Sequence, residues 1–90
     1  MASIELTDVS ETHLTARTKD LSLFGCFVQT ATPFPEGTKV ILRISHGGSN
    51  FFAQGRVAHS RPNVGMEITF IAIEPNSMPV LDKWLAGLRT

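Results

Sequence analysis

Ninety residues suffice for one domain with a single modest core and are too few for two. Eight Lys and Arg balance eight Asp and Glu, so no overall field draws the chain to a nucleic acid backbone or an anionic membrane, and any anion must be captured by local groups. The hydrophobic fraction of 42% suits a packed globule, yet no apolar run approaches the roughly 20 residues of a spanning helix and no signal-peptide pattern opens the chain.

A soluble protein is therefore expected. Cys26 is the sole cysteine, which rules out an intrachain disulfide, and the spaced Cys/His pairs of a zinc site are missing. A reducing cytoplasm fits this usage, and no metal or other cofactor is expected.

Period-two alternation dominates from the start. Ile4 and Leu6 alternate with Glu5 and Thr7, and Leu14, Ala16 and Thr18 alternate with His13, Thr15, Arg17 and Lys19. These read as two paired strands. A third strand begins at Gly25 with Cys26 and Val28 on one face, and the proline-rich stretch 31–37 then breaks the pattern. Val40, Leu42 and Ile44 point one way in the fourth strand, and the tip His46-Gly47-Gly48-Ser49 supplies the positive-φ residues of a tight hairpin.

The fifth strand covers Phe51 to Arg61, with Phe51, Ala53 and Val57 sharing a face with Gly55, whose missing side chain suggests a bend or a close approach of another backbone. After the Pro62-Asn63 turn, Val64, Met66, Ile68 and Phe70 form the sixth strand's inward face. Beyond Pro75 the period changes. Leu81, Trp84, Leu85 and Leu88 fall at helical spacing, with Asn76 or Ser77 as N-cap and Pro79 in the first turn.

Six short-linked strands spanning about 3–71 and one helix over about 77–88 predict an all-β fold, a small six-stranded antiparallel barrel with a C-terminal helix across one open end. Closure removes the long edges an open sheet would expose. No repeat, linker or low-complexity segment divides residues 1–90, so a single domain is expected.

The densest chemistry lies in Lys19-Asp20-Leu21-Ser22-Leu23-Phe24-Gly25-Cys26, where a carboxylate, a hydroxyl and a glycine converge within six residues. Two readings stand side by side. Asp20 and Ser22 can form an Asx or Ser turn at a strand junction, or the step can be a recognition corner. Asp20-Leu21-Ser22-Leu23-Phe24-Gly25, followed by Pro35-Glu36-Gly37-Thr38-Lys39-Val40, Gly55-Arg56-Val57 and Val64-Gly65-Met66-Glu67-Ile68, resembles a PilZ domain over nearly the whole chain.

That resemblance implies a six-stranded barrel with a helix across one end and, for many members, a receptor for the bacterial second messenger cyclic di-GMP. It places Asp20, Ser22 and Gly25 in the ligand-binding motif. A guanine edge offers N–H donors to the Asp20 carboxylate, the Ser22 hydroxyl and nearby amides can donate to phosphate oxygens, and Gly25 allows the backbone a close approach or a positive φ.

The arginines depart from the family pattern. Members that bind cyclic di-GMP carry Arg-x-x-x-Arg leading into the first strand, where the guanidinium groups stack on guanine and bond base edges and phosphates. Here Met1, Ala2 and Ser3 precede the first strand, and none of the arginines at 17, 43, 56, 61 and 89 has another four residues on. Charge-assisted hydrogen bonds contribute roughly 1.5–3 kcal/mol each, so losing two bidentate arginines removes several tenfold steps of affinity. The sequence is either a domain cut just downstream of its arginines, which the position of Met1 favours, or a divergent module independent of the nucleotide. Phe24 also departs, standing where relatives often have glycine or another small residue. A buried strand-end aromatic is expected there rather than a ring beside the ligand.

Other chemistry finds little support. Neither a Gly-x-Ser-x-Gly elbow nor a Walker loop is present, and His13, His46 and His59 fall on separate strands or turns. Cys26 reads as a buried, inert thiol, and the carboxylates Glu5, Asp8, Glu11, Glu67, Glu74 and Asp82 are scattered. The expected protein is not an enzyme. Lys39, Arg43, Arg56 and Arg61 form either a modest basic strip on adjacent strands or ordinary solvated faces. Zero net charge and the absence of tyrosine argue against DNA or RNA. The stripe Met78, Leu81, Trp84, Leu85 and Leu88 packs on the barrel and leaves area for a partner or a homodimer. The expected role is cyclic di-GMP sensing that signals to an effector protein or fused output domain. The alternative is an adaptor that uses the same fold without nucleotide.

Overall fold

The alternation read in the sequence closes on itself. A computed structural model describes residues 2–88: strands β1 (Ala2–Asp8), β2 (His13–Lys19), β3 (Gly25–Gln29), β4 (Lys39–His46), β5 (Ser49–Arg61) and β6 (Gly65–Ile73), a 3-10 turn at Pro75–Ser77, and helix α1 (Met78–Leu88). The strands form a closed antiparallel barrel in the order β1-β2-β3-β6-β5-β4. β1 pairs with β4 from Ser3↔Ser45 to Asp8↔Val40, which completes the ring and leaves no sheet edge.

Inward positions follow the pleat. Ile4 and Leu6 of β1, Val40, Leu42 and Ile44 of β4, Phe51 and Val57 of β5, and Met66 and Ile68 of β6 are buried. The β4–β5 hairpin turns at Gly47 and Gly48, both with positive φ, the geometry a two-residue turn requires to match strand twist. Gly55 lies at a shift in the β5–β6 register, and a Cβ there would lie 2.6 Å from the Ile68 side-chain Cγ2 and 3.2 Å from the Thr69 carbonyl oxygen, so a side chain as well as a backbone crowds the position.

Helix α1 closes one end. Leu81 is fully buried, and the Trp84 ring stands 6.3 Å from Phe51 and edge-on to His46 at 6.0 Å. The helix begins one residue later than expected, and Ser77 spends its hydroxyl oxygen accepting the Phe52 N–H at 2.9 Å. That bond ties the helix start to β5. Pro79 sits in the first turn, where its missing N–H costs nothing. The Leu88 side chain, Met1 and Arg89 lie outside the described residues.

Two positions depart from the alternation. Val64, expected inward, is 54% exposed because it precedes β6 in the turn, where pleat parity does not yet apply. Phe24, expected to be buried, is 79% exposed for the same reason.

Cys26 is buried as expected. Desolvation outweighs the hydrogen bond from the Thr18 side chain and pushes the thiol from 9.0 up to about 11. Because the thiolate is disfavoured only in the fold, the unfolded chain releases this proton first. The stabilisation is complete below pH 9 and lost progressively as pH rises to about 11, a total of roughly 3 kcal/mol at ~1.4 kcal/mol per pH unit. Urea denaturation from pH 8 to 11 is expected to show this decline in the native chain and a correspondingly smaller one in Cys26→Ala.

Candidate functional site

At the end of β2 the chain must leave the barrel and re-enter it at β3. Asp20 makes the exit with φ +54°, a left-handed conformation that aspartate tolerates better than most residues. Its carboxylate is exposed and makes no hydrogen bond among the described residues, which leaves both oxygens free to accept. Ser22 organises the turn. Its N–H donates to the Gly25 carbonyl at 2.9 Å, and its hydroxyl oxygen accepts the Phe24 N–H at 3.1 Å. The Ser22 O–H points at the Gly25 carbonyl over a long 3.4 Å, a weak bond that a better acceptor could replace. Ser22 is thus a turn residue whose one donor remains loosely engaged.

Gly25 is fixed by its neighbour strand. A Cβ at this position would meet the Ile68 carbonyl oxygen at 1.9 Å, so close backbone approach rather than positive φ explains the glycine. The Phe24 carbonyl accepts the Phe70 N–H at 2.8 Å, which locks the corner onto β6.

Asp20, Ser22 and Gly25 come together on the wall of a groove of about 440 Å³, faced by Ala58, His59, Glu67 and Thr69. The β5–β6 register shifts between Val57 and His59, so Ala58 is an extra residue, and such bulges bend a strand and re-aim its side chains. His59 lies opposite Glu67 across β5 and β6, and Glu67 opposite Phe27 on β3. The Lys19 ammonium stands 5.4 Å above the Phe27 ring. A larger, mostly apolar cavity of about 590 Å³ lies under α1 between Leu21, His46 and Trp84, and Asp20 borders both spaces.

The basic residues of adjacent strands differ in their partners. Arg43 pairs with Glu5 at 2.7 Å, while Lys39 and Arg56 face each other across β4 and β5. Sequence reasoning missed the exposed Phe24 and the contribution of His59, Glu67 and Thr69. Only pairing of β3 and β5 with β6 reveals them. Among the described residues no cluster of His, Cys, Asp and Glu could hold a metal ion, and no helix is long and apolar enough to cross a membrane.

The described residues thus form a closed six-stranded barrel, plugged by one helix and carrying a polar corner beside a groove. The PilZ domain family model matches residues 2–87, and the chain belongs to the PilZ domain family. Among solved structures, the crystal structure of the PilZ domain of CeSA from a cellulose-synthesizing bacterium superposes with a TM-score of 0.73 at 21% identity, covering 99% of this chain and 93% of that one. At that identity the likeness concerns the fold. No curated protein matches the chain.

Proposed function

We propose that this chain is a non-enzymatic cyclic di-GMP sensing module whose ligand contacts include Asp20, Ser22 and Gly25. PilZ domains are generally cyclic di-GMP binding modules rather than enzymes. The observation that carries the reading is the convergence on one groove of a free Asp20 carboxylate, a weakly engaged Ser22 hydroxyl and the bare backbone of Gly25. Asp20 would accept from a guanine N1–H and amino edge, and Ser22 would turn its O–H from the Gly25 carbonyl to a phosphate oxygen.

The second half of such a site, two arginines spaced by three residues, does not occur in these 90 residues. Binding by this chain alone is therefore expected to be weak or absent. With the arginines supplied, ligand would pin the segment leading into β1 onto the corner. The surface shown to an effector protein or fused output domain would then change by population shift. A cytoplasmic site of action accords with this reading, with neither nucleic acid nor membrane as partner. Calorimetry with cyclic di-GMP, on this chain and on one extended before β1 by an Arg-x-x-x-Arg segment, tests it: the extension should bring binding into the micromolar range.

A nucleotide-independent adaptor is the second reading, favoured by one observation. Ile41, Phe52 and Ile71 are exposed on the barrel's outer face. Absence of binding by the extended chain would decide for it.

A further inference from the structure

Phe24 is exposed although its backbone is held at both ends, the N–H by the Ser22 hydroxyl and the carbonyl by the Phe70 amide. The ring is therefore presented to solvent on a fixed main chain beside the groove. From the Gly25 wall of that groove the register runs to Thr69 and from Thr69 to Arg56, one row over β3, β6 and β5 that places Arg56 beside the groove, next but one to its lining residue Ala58. Gly25 and Arg56 thus stand two strand spacings apart, about 10 Å. Arg56 is exposed, and among the described residues it has no ion-pair partner.

Its cross-strand neighbour is Lys39, a like charge, an arrangement that disfavours the fold. No carboxylate, Glu36 before the adjoining Gly37 included, forms an ion pair with either residue among the described residues. Asp8 turns its Oδ1 to the Ser10 and Thr12 amides, and Glu67 lies one row away, opposite Phe27 and His59.

We propose that Phe24, on the groove wall, and Arg56, beside the groove, form a nucleotide seat, with Phe24 stacking on a purine base and Arg56, backed by Lys39, holding its phosphate. The inference rests on the reading of this groove as a cyclic dinucleotide site. It assigns to this chain's own residues the two tasks, stacking and charge, that an arginine pair performs. An aromatic face accepts a planar base without demanding sequence-specific bonds, and an unpaired guanidinium offers a phosphate two parallel N–H donors. The row that leads from the Phe24 corner to Arg56 carries the small residues Gly25 and Thr69.

The test is a ¹H–¹⁵N NMR titration of the 90-residue chain with guanosine 5′-monophosphate and, separately, with pyrophosphate. The nucleotide should produce saturable shifts at the Gly25 and Thr69 amides and at Arg56 Nε, and pyrophosphate should move Arg56 alone. Phe24→Ala should weaken the nucleotide roughly tenfold, the loss expected for one base–aromatic stack. It should leave pyrophosphate unchanged, and Phe24→Trp should retain binding. Arg56→Gln should weaken both probes several-fold.

Both side chains are exposed, so these variants keep the native spectrum elsewhere. Shifts confined to other faces, no saturable shift, or nucleotide affinity indifferent to both substitutions would overturn the proposal. If the arginine-extended chain binds cyclic di-GMP equally well with Phe24→Ala and Arg56→Gln, the seat falls and the dinucleotide reading stands. If guanosine monophosphate seats on Phe24 and Arg56 while the extended chain ignores cyclic di-GMP, the seat stands and that reading falls.

Discussion

Replacing Gly25 with alanine is expected to destabilise the barrel by more than about 3 kcal/mol, a large share of the ~5–15 kcal/mol typical of a folded domain. The added Cβ would lie 1.9 Å from the Ile68 carbonyl oxygen and 3.2 Å from the Thr69 Cα. Both are main-chain atoms, so no rotamer change relieves the clash. β3 must move away from β6 or lose the ladder that runs from Gly25↔Thr69 to Gln29↔Gly65. Gly37 provides the control. It has φ +86° and no atom within 4 Å of its added Cβ, so Gly37→Ala should cost only the strain of the left-handed conformation, about 1 kcal/mol. Urea midpoints of the two variants measure the contrast, and equal midpoints would contradict the account of why Gly25 is glycine. Loss of ligand binding in Gly25→Ala would accordingly report lost structure, which makes Asp20 and Ser22 the better probes of the site.

The second large effect is expected at Phe51. Its side chain is fully buried, and its ring meets Phe70 at 5.3 Å and Trp84 at 6.3 Å. It is thus the residue through which β6 and α1 share one core. Truncating a buried phenylalanine to alanine removes the transfer energy of the ring and leaves a cavity, together about 3–5 kcal/mol. The loss should be greater than for Ile44→Val, about 1 kcal/mol, although both positions are fully buried. Thermal unfolding followed by tryptophan fluorescence reads both changes, because Trp84 reports directly on the cavity. A Phe51→Ala chain that melts with the native protein would show that the helix does not contribute to the barrel's stability.

Much of this architecture is legible in the residues because alternation is a local signal. Val40, Leu42 and Ile44 declare their face without reference to any other strand, and Gly47-Gly48 declares the turn beside them. The signal fails where the chain leaves the sheet. Phe24 and Val64 sit next to inward residues in sequence, yet they lie in turns where pleat parity has no meaning, and both are exposed. Non-local pairing is equally silent. Nothing near Ala58 announces the bulge, which exists only because β5 must match β6 on both sides of it.

The candidate site divides along the same line. Asp20, Ser22 and Gly25 form a contiguous motif, so a reader of the sequence finds them. His59, Glu67 and Thr69, each 34 or more positions beyond Gly25 in the chain, reach the same groove from β5 and β6. Their meeting depends on β3 pairing with β6, and that choice is made by barrel closure rather than by any short pattern. Ser22 takes the turn role read in the sequence, and the hydroxyl that shapes the corner holds its own proton in a long bond.

On the proposed reading, the corner at residues 20–25 forms one half of a cyclic di-GMP site. Its most direct test is calorimetry on the arginine-extended chain with and without Asp20→Ala and Ser22→Ala. Binding should appear on extension and weaken at least tenfold with each substitution, while the thermal midpoint of Asp20→Ala falls only by the few degrees that about 1 kcal/mol of left-handed strain costs. Extended chains that bind equally well with both corner side chains removed, or that do not bind at all, would contradict it.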